Sequence, residues 1–113
     1  MRLKPFEITV LQHMLQTRVN TEEWEKLFTN YEIVDYKFTG VSYFLEISFG
    51  DLYLKSETIN FPTVSGQLSN FEVGFLLFVK GRNVTIECHN WGDVDSFPSD
   101  IRDLEIVITV ERF

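Results

Sequence analysis

Cysteine is almost absent from this sequence, since Cys88 is the single one. One cysteine excludes an internal disulfide, so the chain has to fold by burying apolar side chains. The opening Met-Arg-Leu-Lys-Pro is not followed by an apolar run of signal-peptide length, and no segment approaches the roughly 20 apolar residues that cross a bilayer. These absences predict a cytoplasmic protein without a membrane partner.

Positive charge is also scarce. The sequence has 10 Lys and Arg against 17 Asp and Glu, a net charge of −7, and its basic residues form no cluster. Proteins that bind nucleic acid need clustered Lys and Arg to displace counterions from phosphates, so nucleic acid is excluded as a partner. An acidic surface favours a basic protein partner, although acidity also serves simply to keep a protein soluble and monomeric.

Aromatic residues, in contrast, are abundant. They make up 15% of the 113 residues, and eleven of them are Phe. A chain of this length fits one domain, and large side chains at this frequency are enough to fill its core. The sequence therefore predicts a single domain, 1–113, with a Phe-rich core.

The first 30 residues have the spacing of two helices. Pro5 suits a first helical turn, and Asn20 with Glu23 has the form of a capping box that opens a second helix ending by about Asn30. The apolar positions of the two helices are Phe6, Ile8, Val10, Leu11, Met14 and Leu15, and then Trp24, Leu27 and Phe28.

From Tyr31 onward the apolar period changes to two, which is typical of strands. The first strand is expected to place Val34, Tyr36 and Phe38 on one face, and Gly40 to turn the chain into a second strand. Residues 50–63 are irregular and predict a loop that can hold one short strand, before a further strand across 63–68.

The segment Glu72 to Lys80 is apolar at almost every position, which predicts a central strand buried on both faces. A turn at 80–83 leads into a strand with Val84, Ile86 and Cys88 on one face, and residues 104–110 form the last strand. The fold class predicted is α+β, with two N-terminal helices packed on one face of a five- or six-stranded antiparallel sheet.

Catalytic and metal sites are not indicated. Cys88 and His89 are adjacent on one strand and point to opposite faces, so they cannot act together as a nucleophile and its base. Cys88 is instead expected to fill the core. A metal site needs three or four convergent ligands, and the other imidazole, His13, lies far off in sequence. The sequence thus predicts no enzyme, no metal and no cofactor.

Two sets of residues are candidates for partner binding. Glu87, His89 and Trp91 share one side of a strand, where they either line a shallow pocket or form a polar outer face. The loop that follows is acidic, and forms either a docking surface for Lys and Arg or a solvated rim. Its carboxylates are Asp93, Asp95, Asp100 and Asp103. The loop lacks the central Gly and terminal Glu of a calcium loop.

The hairpin and its loop resemble a family of small uncharacterised bacterial proteins. The residues concerned are Ser65-Gly66, the run from Gly74 to Gly81 (Gly-Phe-Leu-Leu-Phe-Val-Lys-Gly), Glu87, Asn90-Trp91-Gly92 and Phe97-Pro98. Some members of that family resemble immunity proteins encoded beside secreted toxins. The resemblance implies an α+β fold and a binding role.

Two functions therefore remain open. The first is an immunity-type inhibitor, in which the acidic loop and Trp91 dock onto a basic partner such as a toxin. The second is a small housekeeping or ligand-binding domain, oligomeric through an edge of its sheet, whose acidity serves only solubility.

Overall fold

The computed structural model describes residues 1–50, 52–68, 70–91 and 97–112. Its helices are α1, Pro5–Met14, and α2, Trp24–Thr29, with single 3-10 turns at Thr21–Glu23 and Ile101–Asp103. Its strands are β1 Tyr31–Phe38, β2 Ser42–Phe49, β3 Leu54–Ile59, β4 Thr63–Gln67, β5 Glu72–Gly81, β6 Asn83–Asn90 and β7 Val107–Glu111. The α+β class is confirmed, but the described sheet has seven strands instead of five or six.

All strand pairs are antiparallel, in the order β1-β2-β6-β5-β4-β7, and β3 also pairs with β5. The long strand β5 has two neighbours on one side because Ile59 of β3 lies opposite Leu77, while Ser65 of β4 lies opposite Gly74. The additional strand is therefore β3, a polar segment in the irregular region where the sequence allowed one short strand.

The second helix begins later than its sequence signal. Asn20 donates a hydrogen bond from Nδ2 to Glu23 Oε1 at 3.3 Å, residues 21–23 form a 3-10 turn, and the α-helix starts at Trp24. Asn20 makes no side-chain capping bond to the backbone, so the capping box predicted there is wrong, whereas the end of α2 before Asn30 is as predicted.

Both helices contact the same face of the sheet, which we call the helix face. Tyr43 Oη on β2 donates to Glu7 Oε2 of α1 at 2.7 Å, and the Phe28 ring of α2 lies 6.3 Å from that of Phe49. Tyr43 and Phe49 are buried, and with the other helix-face side chains they form one apolar core. We call the opposite side of the sheet the outer face.

A bulge in β1 changes one expected face. The register shifts between Ile33 and Asp35, so that Ile33 and Tyr36 both pair with helix-face residues of β2. Val34 lies in the bulge and is 51% exposed, although alternation placed it beside Tyr36.

The expectation that β5 is buried on both faces is wrong. Its odd-numbered residues Val73, Phe75, Leu77 and Val79 are buried on the helix face. Phe78 on the outer face is 37% exposed and Leu76 is half-buried. The apolar run therefore means that β5 carries apolar side chains on both faces, and those on the outer face are only partly buried. Among the described residues, no helix is long and apolar enough to span a bilayer.

Candidate functional site

The outer face presents an apolar stripe across the three central strands. Phe44 of β2 lies opposite Glu87 of β6, which lies opposite Leu76 of β5. In the next row, Thr85 lies opposite Phe78. Cross-strand partners share a face of a sheet, so Phe44 and Leu76 flank Glu87 in one row and Phe78 lies on the same face in the next row.

Negative charge surrounds this stripe. Among the paired strand positions of the outer face, the carboxylates are Glu32, Asp35, Glu46, Glu72, Glu87 and Glu111, and the lysines are Lys37 and Lys80. Six carboxylates against two lysines give these paired positions a net charge of −4, with His89 counted as neutral. Glu46 is held in place by a 2.7 Å hydrogen bond that Asn83 Nδ2 donates to its Oε2.

A pocket of about 260 Å³ opens on the outer face beside Gly74. A Cβ atom on Gly74 would lie 2.7 Å from Nε2 of His89 and 3.3 Å from Cδ2 of Trp91, so only glycine leaves room for both rings. The imidazole and the indole lie over this backbone with their planes at 82°. Leu76, Asn60 and Thr63 also line the pocket.

Glu87 and His89, which the sequence places on one side of a strand, lie near each other without a hydrogen bond between them. Nδ1 of His89 lies 3.7 Å from Oε2 of Glu87, which is longer than a hydrogen bond. Within the described part of the chain, Nδ1 is buried without a hydrogen-bond partner. Of the described residues that line the pocket, His89 is the one titratable side chain, so no second acid or base faces it there.

Cys88 points the other way, as the alternation predicted. Its side chain is fully buried on the helix face. Burial, followed by the nearby negative charges of Glu7 and Glu87, raises the pKa of the Cys88 thiol far above its usual range. A thiol in such surroundings is not an activated nucleophile, because the thiolate is the reactive form.

The structure separates the residues predicted for partner binding. Glu87, His89 and Trp91 come together on the outer face, with Trp91 51% exposed. Asp100 is exposed beside the last 3-10 turn, and Asp103 accepts a 2.8 Å hydrogen bond from Lys4 Nζ at the start of α1.

The Lys4 ammonium group lowers the pKa of Asp103. Asp93 and Asp95 lie outside the described residues. Among the described residues, no three His, Cys, Asp or Glu side chains gather closely enough to hold a metal ion.

A buried polar cluster on the helix face was missed by sequence reasoning. The carboxylate of Glu7, fully buried, accepts hydrogen bonds of 2.7 Å from Nε and Nη2 of Arg102 and from Oη of Tyr43, and one of 2.8 Å from the Lys4 amide. Burial and the adjacent Glu7 charge raise the pKa of Tyr43 well above its usual range. With its hydrogen bonds satisfied, this cluster joins α1 to the sheet and to the last 3-10 turn.

A polar cleft of about 350 Å³ lies at the end of α1. Its charged groups are largely bound to one another. Arg18 forms a two-point ion pair with Glu57, at 2.9 Å from Nε and 2.7 Å from Nη2, and Arg112 donates to Gln16 Oε1 at 2.6 Å. The outer face, where charge and apolar surface are both presented to solvent, is therefore the stronger candidate site.

No family model, no curated protein and no solved structure matches this chain.

Proposed function

We propose that this protein is a non-catalytic binding protein of the immunity type, which docks the outer face of its sheet onto a basic partner protein such as a toxin. One observation carries the proposal: Phe44, Leu76 and Phe78 lie on the face opposite the helices, where the described paired strand positions have a net charge of −4. Exposed apolar patches rimmed by polar residues are typical of protein interaction sites.

Trp91 and Phe78 are suited to anchor such a partner. Trp91 is 51% exposed and Phe78 is 37% exposed, and both lie on the same side of the sheet. Large aromatic side chains near the centre of an interface contribute most of its binding energy, because their burial removes much apolar surface from water.

The carboxylates determine which partner is favoured. Opposite charges steer two proteins together and raise the association rate, and this effect weakens as salt screens the charges. A toxin that acts on nucleic acid has a basic cleft for phosphates, which an acidic face can occupy. A second copy of this chain is disfavoured face to face, since each copy would bring the same excess of carboxylates.

Capture from an extract of the native host tests the proposal. The immobilised protein is compared with Glu46→Gln/Glu87→Gln, which removes two charges from the outer face. The matched control is Glu22→Gln/Glu25→Gln, which removes two exposed charges near the start of α2. We expect a basic protein that is retained by the wild type and the control, released by salt, and associates more slowly with the outer-face variant.

Equal retention and equal salt dependence for both double variants, or self-association alone, would contradict the proposal. The separate variant Asp93→Asn/Asp95→Asn tests whether the acidic loop shares the interface. A lower association rate for it would extend the docking surface to that loop, and an unchanged rate would restrict the surface to the sheet.

A further inference from the structure

The pocket beside Gly74 is too small for most free ligands. Its volume of about 260 Å³ lies below the range of roughly 300–1,000 Å³ that is usual for small-molecule sites. A space of this size, open at the surface of a docking face, fits one side chain of a partner protein. The Gly74 backbone, itself buried, lets the His89 and Trp91 rings that border the pocket pack closely against β5, because the residue has no Cβ.

The walls favour a long side chain with a flat end. The half-buried Leu76 offers apolar surface to a methylene stem, while the Trp91 indole is 51% exposed at the edge. The guanidinium of arginine is planar, weakly hydrated and stacks on aromatic rings, whereas the lysine ammonium is a strongly hydrated point charge.

The surrounding charges favour a cation. Glu72 lies on the same face of β5 two residues before Gly74, and Glu87 lies directly opposite Leu76. Lys80, the lysine of the same strand face, is six residues from Gly74 along β5. A carboxylate side chain would be repelled here, and a neutral aromatic side chain would gain nothing from the two glutamates.

We infer that this pocket, formed by Gly74, Leu76, His89 and Trp91, accepts an arginine side chain of the partner protein. The inference deepens the proposed docking function and rests on it. The arginine stem lies along Leu76, its guanidinium stacks on the Trp91 indole, and Glu72 and Glu87 supply the opposite charge.

A titration of the isolated protein with N-acetyl-L-arginine amide, followed by two-dimensional NMR, tests the inference without a partner. We expect saturable shifts of the Gly74 amide and the Trp91 indole signals, with a Kd in the millimolar range. The indole signal of Trp24 on α2 is the internal reference and should stay unchanged, because Trp24 stacks on Phe28 at the helix side of the sheet.

Two analogues and two variants sharpen the test. The citrulline analogue keeps the shape but not the charge, and should bind about two- to fivefold more weakly, the factor that an exposed cation–π contact provides. The lysine analogue should also bind more weakly. Trp91→Ala should abolish the shift of the Gly74 amide signal, whereas Tyr53→Ala, which removes an exposed aromatic ring near Gly81, should leave both shifts unchanged.

Absence of a saturable shift, equal binding of citrulline, or full binding to Trp91→Ala would overturn the arginine pocket. These outcomes are distinguishable from failure of the proposed function, which is measured by the contrast between the two glutamine double variants. If arginine does not bind in the pocket but the two double variants still differ, the inference about arginine is wrong and the proposed docking face is unaffected.

Discussion

On β2 the side chains of Tyr43, Leu45 and Ile47 are fully buried beneath the helices, while Phe44 and Glu46 alternate with them on the outer face. The same contrast recurs on β5, where Leu77 is fully buried and its neighbour Phe78 is 37% exposed. The two faces belong to the same strands, but both described helices pack against only one of them. Burial of the helix face accounts for folding, and the proposed docking function would account for the apolar groups among carboxylates on the outer face.

The largest expected effect comes from breaking the buried cluster of the helix face. Arg102→Met leaves the Glu7 carboxylate buried without its cation, and removing one partner of a buried ion pair costs about 3–5 kcal/mol. The free energy of unfolding in urea measures this loss. Arg18→Met is the control, because it breaks a similar two-point pair with Glu57 in a more exposed setting.

The control should lose much less stability than Arg102→Met. Equal losses for the two variants would contradict the view that burial makes the Glu7 cluster structurally important.

A second prediction compares neighbouring leucines on the two faces of β5. Leu77→Ala removes a fully buried side chain and should cost about 2–5 kcal/mol. Leu76→Ala removes a half-buried one from the outer face and should cost about 1 kcal/mol. Urea unfolding of both variants measures the difference, and a similar cost at the two positions would mean that the outer face is as well packed as the helix face.

A smaller effect is expected from alkaline pH. Burial raises the pKa of Cys88 and of Tyr43 on the helix face, so above the ordinary values of about 8.5 and 10 the unfolded chain releases protons that the folded chain retains. Stability is therefore unaffected below those values and falls as the pH rises through them, by at most about 1.4 kcal/mol per pH unit for each group.

Urea unfolding between pH 7 and 11 measures this decline. In Cys88→Ala, the loss of stability should begin at a higher pH, near the ordinary pKa of tyrosine. An unchanged onset would show that Cys88 does not contribute to the loss.

Much of the fold was predictable because alternation is a local property. The placement of Val84, Ile86 and Cys88 on the buried face of β6 is confirmed. Alternation failed at Val34, where a bulge shifts the register, and at β3, whose polar sequence pairs with half of a long strand. It also could not distinguish exposed apolar residues of β5 from buried ones, since both look alike in sequence.

The site was predictable only in part. Glu87, His89 and Trp91 were identified from their shared strand face, and their contact requires Gly74 on the neighbouring strand. The position of Phe44 beside Glu87 on the outer face depends on the pairing of β2 with β6, which no local pattern specifies. The pairing of Glu7 with Arg102 joins residues 95 positions apart, and such a pair leaves no periodic signal in the sequence.

The most direct test of the central claim is an NMR map of the surface that the captured basic partner covers. We expect signals of outer-face residues such as Phe44, Phe78 and Thr85 to shift or broaden in the complex, while those of α1 and α2 stay in place. A footprint confined to the helices would contradict the assignment of the outer face as the docking surface.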